Sequence, residues 1–143
     1  MSRIYNPDSA GKARTRLGRE VVLALRHLMR QQQVDDRSRD LAAFIALALS
    51  EIHATIDLSV LAWEKRGYWV KADHFRLDWE WTAILSQNLS RALKGEDWAA
   101  VAAISAQVAQ KLIKVEVPNR NRLGEPWLGA WQRFQQQMKE NRP

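Results

Sequence analysis

The chain contains no cysteine. That excludes a disulfide framework, a thiol nucleophile, a cysteine-ligated zinc finger and a cysteine-held iron–sulfur cluster. Glycine and proline are scarce, six and four in 143 residues, which argues against a loop-rich or disordered chain. Phenylalanine and tyrosine are scarce as well, three and two, beside seven tryptophans. Strict polar–apolar alternation between turn residues is nowhere sustained, so no strand is expected. No repeat of about twenty to fifty residues stands out. Met1 to Pro7 shows no apolar run behind a basic start, so a secretory signal is not expected and a cytoplasmic location is the default. The stretch from Leu41 to Trp63 begins with nine apolar residues, Leu41 to Leu49, but Glu51, His53 and Asp57 then interrupt it. A charge at a bilayer centre costs about 3 kcal/mol. A buried helix of a soluble domain is therefore expected, with no membrane partner.

What is present suits one helical domain. The 143 residues are 46% hydrophobic, enough for a single core spanning residues 1–143. Asn6-Pro7-Asp8 reads as a helix start, with Asn as N-cap, Pro at the first position and Asp against the dipole. Leu17, Val21, Leu25 and Leu28 then fall on one face, and the helix fades in Gln31-Gln32-Gln33. Asp35-Asp36 starts a second helix whose stripe is Leu41, Ile45, Leu49, Ile52, Ile56, Val60 and Trp63. Its flanks, with Phe44, Leu47 and Leu58, are also apolar, so contact on more than one side is expected. Gly67 after Lys65-Arg66 is the expected stop.

A third helix begins at Tyr68 or at Asp73. Its expected apolar face carries Val70, Leu77, Trp81, Ile84, Leu85 and Ala92, widened by Leu89 and Leu93, and Gly95 stops it. Asp97 caps a fourth helix with a seam of Trp98, Val101, Ser105, Val108, Leu112 and Val115. Six alanines between Ala99 and Ala109 leave room for close approach. Pro118 ends that helix. Residues 118–126 read as loop, and a short docked helix is expected over 127–138, opened by Pro126 and fraying from Lys139. Short connections favour antiparallel neighbours. The expected fold is all-α, an up-down-up-down four-helix bundle with a short C-terminal fifth helix.

The net charge of +6 is uneven along the chain. Residues 1–34 carry net +5, residues 35–117 net −2 and residues 118–143 net +3. At about 100° per residue, Lys12, Arg16, Arg19, Arg26 and Arg30 share the side of the first helix opposite its apolar face. A basic stripe is the footprint of an acidic partner or of phosphate, although a solvated face has the same composition. Trp127, Trp131, Phe134 and Met138 lie along one side of the last helix. The two tryptophans either dock that helix or, with Arg120, Arg122 and Arg133, present a binding face. Docking is the preferred reading, because so apolar an exposed patch is a solubility liability.

Two His–Asp pairs at helical spacing, His53 with Asp57 and His74 with Asp78, stand on antiparallel helices at similar distances from Gly67. Two imidazoles and two carboxylates would suit a divalent metal. The Glu-x-x-His signature of di-iron bundles and the HExxH motif are both missing. Simple hydrogen-bonded pairs are therefore the preferred reading, with the metal set as an alternative. Ser50, His53 and Asp57 fail as a catalytic triad, since a helix leaves no local backbone N–H free for an oxyanion. Gly11-Lys12 lacks the first glycine and the preceding strand of a phosphate loop. No catalytic residue and no cofactor are assigned. The expected role is a non-catalytic interaction or scaffold protein that binds an acidic protein partner or self-associates. Nucleic-acid binding through the same basic surfaces is the second reading, and a metal-dependent enzyme the third.

Overall fold

A computed structural model describes residues 6–141. Met1 to Tyr5, which hold most of the segment read for an export signal, lie outside the described residues, as do Arg142 and Pro143. The described residues form five helices: α1 (Pro7–Met29), α2 (Asp36–Lys65), α3 (Trp69–Lys94), α4 (Trp98–Lys111) and α5 (Ala130–Glu140). There is no strand among the described residues. The fold is an up-down-up-down bundle in which α2 is central, touching α1, α3 and α5, while α4 leans on α3 and grazes α1. Helix α2 is long and apolar enough to cross a membrane by length and composition, yet 61% of its most apolar window is buried inside the bundle.

The starts of the helices follow the capping chemistry of the sequence. Asn6 Oδ1 accepts from the Ser9 N–H at 2.9 Å, and Asp35 Oδ1 accepts from the Ser38 N–H at 2.9 Å. Asp97 caps α4 in the same way, through Ala100 N–H at 3.1 Å. Gly67 follows α2 at φ +82°, the left-handed conformation that favours glycine. After α3 the left-handed residue is Glu96 at φ +48°, one position beyond the expected stop at Gly95. Helix α3 starts at Trp69, between the two sequence-based options.

The core is contiguous. Leu41, Ile45, Leu49 and Ile52 of α2 are fully enclosed, packed with Val21, Leu89, Val101 and Phe134 from the other helices. A smaller cluster of Ile56, Val60 and Ala72, flanked by Trp63, Phe75 and Trp79, lies toward the C-terminal end of α2.

Four expectations about faces and ends are corrected. The expected apolar face of α3 is its inner side only in part: Leu85, Leu89, Ala92 and Leu93 are buried as expected, and Trp81 is half-buried. Val70 (73% exposed), Leu77 (69%) and Ile84 (50%) point outward. The buried seam is Ala72, Phe75, Trp79, Thr82, Ser86, Leu89 and Leu93, spaced alternately three and four, with the two aromatic rings half-buried. Two small hydroxyl residues disguised it. Inside, Thr82 donates to the Trp79 carbonyl at 2.7 Å and Ser86 to the Ala46 carbonyl at 2.8 Å, so neither hydroxyl is left unsatisfied.

Helix α4 ends at Lys111, seven residues before Pro118, and Val115 lies in the extended segment that follows. Helix α5 begins at Ala130, three residues later than expected, because residues 126–129 form a turn with Gly129 at φ +78°. That left-handed residue cannot be part of a right-handed helix. The helix also runs through Lys139 to Glu140, where fraying was expected. The Asp40 carboxylate accepts from the Gly129 N–H at 3.3 Å and the Trp131 N–H at 2.9 Å, fastening the start of α5 to the first turns of α2.

Candidate functional site

The basic side of α1 divides in two. In its middle Leu23 is buried, 6% exposed, among residues expected to face water. The covering element is the segment after α4. Arg26 Nη2 donates to the Val117 carbonyl at 2.7 Å, and the Trp127 ring packs on His27 with centroids 4.9 Å apart. Residues 118–126 therefore leave and return at adjacent positions of α1, as a compact surface loop. Arg26 is a strut that fixes this loop, which corrects its reading as a free contact residue. Trp127 is 1% exposed and belongs to the core, so it is not a partner-binding side chain in this fold.

The covered half of α1 ends in a cluster of cations. Arg37 Nη2 donates to His27 Nδ1 at 3.2 Å. Guanidinium only donates, so Nδ1 accepts and the imidazole proton sits on Nε2. Burial of His27, with Arg37 and Arg30 beside it, lowers its pKa below the ordinary histidine value. Glu125 opposes that shift and Arg26 adds to it. Four basic side chains, from the end of α1 and the first turn of α2, thus meet at one corner. Arg30 and Arg37 are exposed, and among the described residues neither makes an ion pair. Arg120 and Arg122 are exposed in the loop that closes over the same corner. Arg120 lies three residues from Val117, which limits its backbone to about 11 Å from that anchor.

The remaining basic residues lie elsewhere. Lys12, Arg16 and Arg19 occupy the uncovered first half of α1, and Arg16 pairs with Glu20 at 3.8 Å. Arg133 is exposed and donates to the Leu128 carbonyl at 3.1 Å, closing the turn before α5. Trp131 is half-buried and stacks on Phe134, with centroids 5.6 Å apart.

The His–Asp quartet does not assemble. His53 Nε2 stands 3.7 Å from Asp57, a local contact within α2. His74, expected on the apolar side of α3, is exposed, and so is Asp78. No group of three or more His, Asp or Glu side chains placed to hold a metal occurs among the described residues. The physical cause is the rotated face of α3, which turns His74 and Asp78 away from α2.

Sequence reasoning missed two residues, one at the interior and one at the exposed corner. Arg14 interrupts the apolar side of α1, and its guanidinium enters the bundle. It donates to Thr55 Oγ1 at 3.2 Å and Ser59 Oγ at 3.5 Å, and lies 4.8 Å from the Phe75 centroid and 5.9 Å from that of Trp79. Burial lowers its pKa. Its position three residues before Leu17 and seven before Val21 was the available signal, a cation in register with an apolar seam. Arg37 was missed because its distance from the α1 cations in sequence hides their meeting at the α1–α2 connection. The arrangement as a whole can bind an anion by charge and hydrogen bonding.

Comparison with protein-family models, with curated proteins and with solved structures gives no match to this chain.

Proposed function

We propose that the protein is a non-catalytic helical-bundle interaction protein that holds an acidic protein partner at the corner where α1 meets α2. The observation that carries this reading is the meeting of Arg26, His27, Arg30 and Arg37, with Arg30 and Arg37 exposed and outside any ion pair among the described residues. The like charges of Arg26, Arg30 and Arg37, gathered around that imidazole, destabilise the free protein, and an acidic partner relieves their repulsion. The Arg120 and Arg122 side chains widen the contact. In keeping with the sequence default, the reading sets the protein in the cytoplasm.

The test is fluorescence anisotropy with labelled poly-glutamate, comparing the parent chain with the Arg30→Glu, Arg37→Glu, Arg120→Glu, Arg122→Glu variant. Binding by the parent that weakens at least tenfold in the variant is the expected result. Equal binding by both, or none by the parent, refutes the reading. A labelled single-stranded oligonucleotide run alongside tests the nucleic-acid alternative. Oligonucleotide binding with a steep salt dependence, in the absence of poly-glutamate binding, would favour that alternative.

A further inference from the structure

Part of the apolar face read from the α3 sequence is turned to solvent. Val70, Leu77 and Ile84 are exposed and stand seven residues apart, and the exposed Arg91 continues the row. His74, Trp81 and Asn88 follow the first three by four residues each, His74 exposed and the other two half-buried. The spacing thus alternates between four and three from residue 70 to residue 91, the 3.5-residue repeat of a two-helix seam. It lies on the far side of α3 from the buried positions Ala72, Thr82 and Ser86. A row of large aliphatic side chains in water marks an interaction site.

The spacing reads the same in both directions, so the seam can meet a reversed copy of itself. A two-fold axis at Trp81 sets Leu77 of one copy against Ile84 of the other, and His74 against Asn88. Val70 then meets the aliphatic stem of Arg91. Across such an axis the same flank meets the same flank. Asp73 of one copy therefore lies within a turn of Arg91 of the other, about 4 Å along the axis. Arg91 makes no ion pair among the described residues, and Asp73 accepts from Arg76 through Oδ1 at 2.9 Å. Two Asp73–Arg91 pairs outweigh the one opposition, Glu80 against Glu80 near the axis. Parallel pairing would set Arg91 against Arg91 and form neither pair. Charge thus selects the antiparallel arrangement.

We propose that the outer face of α3 docks a second copy of this chain, giving an antiparallel two-fold dimer centred on Trp81. The seam is about 32 Å long and about 10 Å wide, a footprint of about 320 Å² per copy. A stable complex covers roughly 800 Å² on each partner. The dimer is accordingly weak and dissociates on dilution. The face is separate from the basic corner, and none of its residues is altered in the poly-glutamate test.

Sedimentation velocity of the parent chain should show monomer at about 5 µM and mostly dimer at about 500 µM, the range of a transient interface. The Leu77→Glu, Ile84→Glu variant, altered at exposed positions, is expected to associate at least tenfold more weakly. Arg91→Asp is expected to weaken association at least threefold and added Asp73→Arg to restore it, which keeps the test open if the glutamate variant does not fold. Because the chain has no cysteine, introduced thiols report the register. Under mild oxidation, mixed Leu77→Cys and Ile84→Cys chains should link at least fivefold faster than either alone, since equivalent positions lie about 10 Å apart along the axis. Four outcomes overturn the proposal: monomer at about 500 µM, parent-like association by a folded glutamate variant, charge reversal without rescue, or self-linking by L77C as fast as the mixture.

Discussion

Replacing Trp127 by alanine separates a core residue from a contact residue by the size of the stability it removes. The indole is 1% exposed and packs on His27 at 4.9 Å, in the turn that leads into α5. Truncating a buried tryptophan costs about 3–5 kcal/mol, the loss of transfer energy plus the void left behind. The surrounding turn lies at the surface and can partly collapse, which places the expected loss at about 3–4 kcal/mol. A chain of this length has a total stability of roughly 7–20 kcal/mol, so W127A should remain folded. Its melting temperature should fall by about 10–15 °C. Urea unfolding followed by circular dichroism gives the free energy, and limited proteolysis in residues 118–126 reports release of the loop. A loss below about 1 kcal/mol would refute the assignment. It would mean that Trp127 is spared burial, as a partner-binding residue would be.

Three further outcomes follow from the same structure. His27 has a lowered folded pKa, so the unfolded chain binds more protons between the two values; stability is full above the ordinary histidine range and is lost as pH falls through the folded pKa. Urea midpoints measured from pH 7.5 down to 5 should fall for the parent and fall less for His27→Gln; equal slopes would refute this. Arg14→Met should cost about 1–2 kcal/mol, since the methionine fills the space and Thr55 still donates to the Ile52 carbonyl at 2.6 Å while buried Ser59 loses its Arg14 partner, whereas Arg14→Ala should cost about 2–4 kcal/mol through the cavity added to that loss. A large loss in R14M would show that the guanidinium contacts, rather than the volume, hold α1 against α2 and α3. Leu77→Ala should alter stability by at most about 0.5 kcal/mol and Leu89→Ala by about 2–5, because the first is 69% exposed and the second fully buried. The reverse order in denaturant midpoints would place Leu77 in the core instead of Leu89.

The helices themselves were legible because their signals are local. Asn6, Asp35 and Asp97 cap by reaching three residues ahead, and Gly67 turns the chain without help from elsewhere. The α2 stripe was legible because each of its positions, Leu41, Ile45, Leu49, Ile52, Ile56 and Val60, is aliphatic. The α3 face was not, since Thr82 and Ser86 read as polar until a backbone carbonyl satisfies each of them. The basic stripe was legible in composition but not in exposure. Nothing near Leu23 or Arg26 announces that residues beyond α4 cross over them. The cluster at His27 depends on Arg37 and on a loop some ninety positions away, and such meetings come from topology rather than from periodicity. The His–Asp quartet failed for the converse reason. Matched spacing fixes height along two helices, but not the rotation of either.

The Asp40 clasp on α5 also bears on the order in which the bundle is made. Contacts of α1 with α2, α2 with α3 and α3 with α4 join neighbours in the chain, and such pairs close quickly. Asp40 and Trp131 are separated by 91 positions. During synthesis the flank of α2 that receives Phe134 stays bare until the last helix has been made, and a bare apolar groove on a nascent chain invites aggregation. Helices α1 to α4, each packed on its neighbour in the chain, would thus precede the C-terminal strap, which acts as the closing step of folding. Pulse-labelling hydrogen exchange should show amides of α5 protected after those of α2; simultaneous protection would show that the strap docks with the first helices.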